Sequence, residues 1–134
     1  MAAHRESLFL DTREREQLVD VTEPLRRIAA AHPEAALMAL FAKGATAAVM
    51  IQENWDPEIR ADILDCLRRI APAGEWRHDR VDGNADAHLK AGLVGPSATI
   101  PLDRGKLLLG RWQNVFFCDF DGPRERRELV VTLL

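Results

Sequence analysis

Two nearly continuous apolar runs, "AALMALFA" at 35–42 and "ATAAVMIQE" at 45–53, are separated only by Lys43 and Gly44. Runs this short and this uniformly apolar suit strands covered on both faces, because a strand with one wet face would alternate with polar residues. A chain holding two such segments needs layers of structure on either side of them. One domain over 1–134 is the expectation, since 134 residues can bury a core without disulfides or a structural metal.

The flanking segments give a mixed pattern rich in strands. "ESLFLDT" and "REQLVDVT" read as short strands, and Thr22 is placed to cap a helix through "EPLRRIAAAHP" that Pro33 ends. The clearest helix is "DPEIRADILDCLRRIAP": Asp56 caps it, Pro57 takes the first turn, and Ile59, Ile63, Leu67 and Ile70 form its apolar stripe, with Asp65 spaced to pair with Arg69. "ADAHLKAGLVG" suits a shorter helix with Asn84 as N-cap, Asp86 near its positive end and Gly92 or Gly95 at its close. In the last third, "SATIPLD" and "KLLLG" meet at Arg104-Gly105, and "WQNVFFCDF" and "ELVVTLL" flank the turn-rich "DGPRER", which implies sequential hairpins. Neither alternating face of "WQNVFFCDF" is polar, so that strand is expected to be central or covered.

Composition removes several classes of function. A formal charge of −3, with arginines interleaved among acids, gives no field for nucleic acid. No apolar run approaches the roughly 20 residues of a membrane helix, and "MAAHRESLFLDTRERE" lacks the hydrophobic stretch of a secretion signal, so a cytoplasmic location is expected. Cys66 and Cys118 have no metal-knuckle spacing and are read as buried free thiols.

Four polar islands interrupt the apolar framework: "QENWDP", "WRHDRVDGNADAHLK", "GRWQN" and "GPRERR". Each sits at the end of an expected element, where a rigid scaffold commonly presents functional side chains. The second island holds two of the four histidines, His78 and His88. Imidazole can ligate a metal or move protons near neutral pH, although nine intervening residues match no compact zinc pattern and a surface role remains open. Glu53, beside Asn54, is a candidate base, ligand or hydrogen-bond acceptor, or simply a solvated strand end. Lys90, Arg111 and Arg124 are candidate cations for phosphate groups.

The order of these motifs resembles the YjbQ-like family, often named secondary thiamine-phosphate synthase enzymes. The resemblance runs through "TAAVMIQENWDPEIRADIL", then "DGNADAHLK", "GPS", "GRWQ" and "DGPR", and covers nearly the whole chain. It implies an α+β fold of packed β-sheets with a few helices, a homotrimer, and a site using Glu53, His78 and His88 for catalysis and Thr46, Asn54, Lys90, Arg111 and Arg124 for substrate. His78 and His88 are its implied metal ligands, for zinc or magnesium. A third histidine is expected in a segment resembling "PHTTAA", where this chain reads "KGATAA" with Gly44 at the histidine position. Glycine offers no side-chain ligand, so Lys43, Glu53 or water would have to complete the set. A histidine installed at 44 is expected to tighten metal binding, provided the glycine is not needed for a positive φ.

The activity implied by the resemblance joins a hydroxymethylpyrimidine diphosphate to a thiazole phosphate with release of diphosphate. Two alternatives stand beside it. One is a trimeric, non-catalytic binding protein for a small phosphorylated or carboxylated metabolite, and the other a metal-dependent enzyme acting on an unknown substrate.

Overall fold

The two apolar runs lie in different sheets, and the core lies between them. The computed structural model describes residues 3–134. Strands β1 (His4–Leu10), β3 (Leu37–Lys43), β5 (Ser97–Asp103), β6 (Lys106–Leu107) and β8 (Arg127–Leu133) form a five-stranded sheet ordered β1-β8-β3-β5-β6. Strands β2 (Gln17–Asp20), β4 (Ala47–Gln52) and β7 (Asn114–Asp119) form a second sheet ordered β2-β7-β4. All the pairings are antiparallel. The α+β class implied by the resemblance is therefore the observed one.

Strand alternation divides the core into two layers. Val115 and Phe117 of β7 point into the space between the sheets, where they meet Val49, Met38, Leu40 and Val131. Phe116, Cys118 and Phe120 point the other way, onto Leu67 of α2 (Pro57–Ile70) and Ala87 and Ala91 of α3 (Ala85–Val94). Helix α1 (Thr22–Ala30) contributes Leu25, Ile28 and Ala29 to the inter-sheet core. Strand β7 is central and apolar on both faces, as its sequence requires. Burial also pushes the Cys118 thiol up to about 12.

Strand β3 is covered on one face only: Met38, Leu40 and Ala42 are buried, whereas Leu37 and Phe41 are exposed. The expected β7–β8 hairpin does not form, because the chain changes sheets through 120–126. The β5–β6 hairpin does, with Arg104 and Gly105 both at positive φ and Gly105 against Ala30, where a Cβ would lie 3.2 Å from the Cα of that residue.

Three local expectations also change. Thr22 lies inside α1 rather than capping it; its amide and hydroxyl both donate to Asp20, and its Oγ1 accepts from the Val115 amide. Asp65 pairs with Arg68 instead of Arg69. Cys66 is exposed, on the wet side of α2. Asp56 caps α2 as its sequence indicates, accepting from the Glu58 amide at 2.9 Å.

Candidate functional site

The segment before α3 is tied down by one carboxylate. Asp79, in a single 3₁₀ turn (Arg77–Arg80), accepts from the Trp76 amide at 3.0 Å and from the Ala85 amide at 3.0 Å, joining the turn to the start of α3. Those backbone donors hold its carboxyl below the usual range. Asp79 thus does the capping expected of Asn84, whose side chain instead donates to Asp121 at 2.8 Å. The Trp76 indole donates to the Pro72 carbonyl at 2.7 Å, fixing the ring. The outcome is that His78 and His88 meet edge to face, ring centres 4.9 Å apart.

This pair lines an open cavity of about 610 Å³ with Trp76, Arg77, Ala85 and Leu89, a volume typical of small-molecule sites. His88 also lines a second cavity of about 350 Å³, together with Phe41, Gly44, Ala45 and Gly92. One imidazole therefore borders both chambers. Glu53 is not among the residues around either cavity.

Gly44 carries a second feature that its sequence does not announce. Its φ is +121°, and a Cβ there would lie 2.7 Å from Nη1 of Arg127. Nη2 of that arginine donates to Thr46 at 2.8 Å and to Asp119 at 2.6 Å, while Nε is buried with no partner among the described residues. Asp119 is fully buried; burial alone would raise its pKa, but donors from Arg127, Thr12 and the Asp121 amide outweigh this and hold it below the ordinary value. Arg127 was missed among the cations read from the sequence because "GPRERR" looks like a solvated run. The available signal was Asp119, an acid on an apolar face of a central strand, which requires a buried donor.

Other expected site residues are placed as follows. Lys90 is buried, its ammonium 2.7 Å from Glu16 and 2.9 Å from Asp86, and so does not face either cavity. Thr46 is buried and accepts from Arg127. Asn54 donates to Asp20, whose carboxyl is lowered because hydrogen bonds from Thr22, Asn54 and Asn114 outweigh the opposing effect of burial. Arg111 lies over the Trp112 ring, and Arg124 pairs with Asp121 on the surface. Lys43 is paired with Glu128 at 3.3 Å.

Residues 6–134 match the family model described as UPF0047 protein YjbQ-like. The chain belongs to this family. A UPF0047 protein of Archaeoglobus fulgidus is 39% identical over 127 residues, covering 94% of this chain and 98% of its own. One from Methanocaldococcus jannaschii is 40% identical, covering 93% and 90%. Among solved structures, a YbjQ-like protein of unknown function from Sulfolobus solfataricus superimposes with a TM-score of 0.93 at 30% identity, over 98% of this chain and 96% of that one. A YjbQ/UPF0047 protein from Clostridium acetobutylicum gives 0.89 at 35% identity, over 96% and 99%.

Within this UPF0047 chain the three-histidine metal set does not fit. Arg127 stands where a side chain at 44 would begin, and among the described residues the only carboxylate paired with either histidine of the first cavity is exposed Asp82, 3.6 Å from His78. Lys43 and Glu53 do not complete the pair. A histidine at 44 would also meet both the positive φ and the anchored guanidinium.

Proposed function

We propose that the cleft shared by His78, His88 and Gly44 binds a small phosphorylated heteroaromatic metabolite and joins a hydroxymethylpyrimidine diphosphate to a thiazole phosphate. The observation that carries this reading is His88 bordering two adjoining cavities. A two-substrate transfer needs adjoining chambers with an ionisable group where they meet.

In this reaction the lone pair of the thiazole nitrogen forms a C–N bond to the pyrimidine methylene as its C–O bond breaks, and the bonding electrons leave with diphosphate. No proton is removed from the nucleophile. What the site must supply is flat apolar surface and positive charge on the leaving group. Trp76 supplies surface, Arg77 a cation at the rim, and the Arg127 guanidinium a cation near Gly44. His78 and His88 donate N–H bonds to phosphate oxygens, stabilising the charge that builds on the departing diphosphate.

Gly44 favours a second reading, a non-catalytic binder of the same ligand class, because it removes a side chain from the cleft. Incubating the purified chain with both precursors and measuring thiamine phosphate by mass spectrometry separates the two. Turnover that falls at least about 100-fold in His88→Ala supports the enzyme. Precursor binding without product selects the binder, and absence of both removes the reading altogether.

The same reading places the cleft at a homotrimer boundary in the cytoplasm. Its supports are half-exposed Phe41, which lines the second cavity beside exposed Leu37 on strand β3, and two free cysteines. Among the described residues no helix is long and apolar enough to cross a membrane. Light scattering tests the assembly: a mass of three chains is expected, and Phe41→Glu should lower it.

A further inference from the structure

Strand β1 carries polar residues where its pattern calls for apolar ones. His4, Glu6 and Leu8 pair with Leu133, Val131 and Leu129, all three buried. Alternation places His4, Glu6, Leu8 and Leu10 on one side of the sheet, and Leu8 and Leu10 pack against the inter-sheet core there. His4 and Glu6 continue that inward row to the end of the sandwich, where α1 finishes and His32 follows it.

The three side chains converge. The His4 and His32 rings stack with centres 4.0 Å apart and planes 26° from parallel. His4 Nε2 lies 2.5 Å from a Glu6 carboxylate oxygen. One ligand atom from each of His4, Glu6 and His32 lies within 4.8 Å of the others, the only such set of three among the described residues. A cavity of about 260 Å³ opens beside them, lined by both histidines and Glu34. The Glu34 carboxylate, 3.6 Å from His32 Nδ1, is placed to orient that ring.

We propose that His4, Glu6 and His32 form a binding site for a divalent transition-metal ion, zinc foremost. Two imidazoles and one carboxylate are the donors of open zinc sites, in which water takes the remaining position. Calcium and magnesium favour oxygen ligands and suit this set poorly. Ligands about 2.0–2.2 Å from an ion lie roughly 3–4 Å from each other, so His4 and Glu6 have to part by about an ångström and His32 to close by about as much. His4 and Glu6 are partly exposed and have room to do so. Stacked imidazoles repel when both are protonated, and a shared cation removes that conflict by replacing the protons. The site has no residue in common with the cavity of His78 and His88.

Inward charge on an edge strand also discourages pairing with other chains, a role that Glu6 fills without any metal. Zinc competition against a chromophoric chelator, performed on the intact chain, distinguishes the two. One zinc equivalent is expected to be weakened at least about 100-fold by His32→Ala, more than losing a group that merely orients a ligand costs. That equivalent should survive in His78→Ala/His88→Ala. Zinc should raise the melting temperature of the wild type and of that double variant, but not of His32→Ala, with circular dichroism confirming that each is folded. A wild type that takes up no zinc, or uptake unchanged by His32→Ala, overturns the proposal; so does uptake abolished only in His78→Ala/His88→Ala.

Discussion

Lys90 is a buried cation and Arg127 a partly buried one, and they are paired in opposite ways. Lys90 gives its ammonium to Glu16 and Asp86, with Arg68 on the far side of Glu16 and Arg15 on the far side of Asp86. Arg127 gives one nitrogen to Asp119 and Thr46, leaves Nε without a partner among the described residues and directs Nη1 toward Gly44. A cation fully matched by protein acids holds elements together, here α3 and the segment before β2. One with unused donors against Gly44, a lining residue of the second cavity, is equipped to meet an anion. The difference gives Arg127 rather than Lys90 the ligand-binding role in the proposed function.

The largest effect expected from breaking this contrast is on stability. Lys90→Met keeps the volume but leaves Asp86 and Glu16 facing one another without their shared cation, so unfolding in urea should report a loss of about 3–5 kcal/mol. Diphosphate binding by the folded protein should be unchanged. A Lys90→Met protein as stable as wild type would show that the network is not structural.

Arg127→Met comes next. Asp119 keeps Thr12 and the Asp121 amide as donors, so the expected loss is about 2–3 kcal/mol, below that of an isolated buried charge. This change also tests a pH dependence. The Asp119 carboxyl lies below its ordinary 3.8 in the folded chain. Its ionised form therefore stabilises the fold above the unfolded value, and the contribution disappears as pH falls from about 5 through 3.8 toward the lower folded value. Denaturation midpoints across that range should fall less steeply in Arg127→Met than in wild type. Equal slopes would mean that Arg127 does not set the Asp119 titration.

The sequence reveals these two regions unequally, and the reason is physical. Helix α2 is legible because its signals are local: Asp56 and Pro57 start it, and its stripe repeats at helical spacing. Strand β7 is legible because both its faces are apolar. The failed β7–β8 hairpin is different, since "DGPRER" has the chemistry of a turn whether the chain returns to the same sheet or crosses to another. The buried state of Lys90 depends on Glu16, 74 residues away, and the partial burial of Arg127 on a strand pairing that brings β8 and Thr46 together. The meeting of His78 with His88 was legible in outline, because one short segment holds both. The convergence of His4 with His32 was not, because β1 register and the end of α1 jointly create it.

Gly44→Ala probes the space that Arg127 fills. The new Cβ faces both the positive φ and a contact of 2.7 Å with Nη1, so a loss of about 1–2 kcal/mol is expected. Diphosphate affinity should fall as the guanidinium is displaced. If affinity holds while stability drops, the strain is in the backbone alone and Arg127 has room to yield.

The smallest effect separates two arginines three positions apart. The Arg124 side chain is half-exposed and, among the described residues, bonds only to Asp121, through both its carbonyl and its carboxylate. Arg124→Ala should therefore cost no more than about 0.5 kcal/mol, as for other exposed ion pairs. Arg127→Lys keeps the charge but gives up the planar fork that reaches Asp119 and Thr46 together, and should weaken diphosphate binding about 10-fold. Calorimetry on the two variants decides which arginine faces the ligand. If Arg124→Ala loses affinity and Arg127→Lys does not, the anion lies on the outer side of the 122–127 loop, and the unused donors of Arg127 are only a cost of packing it against Asp119.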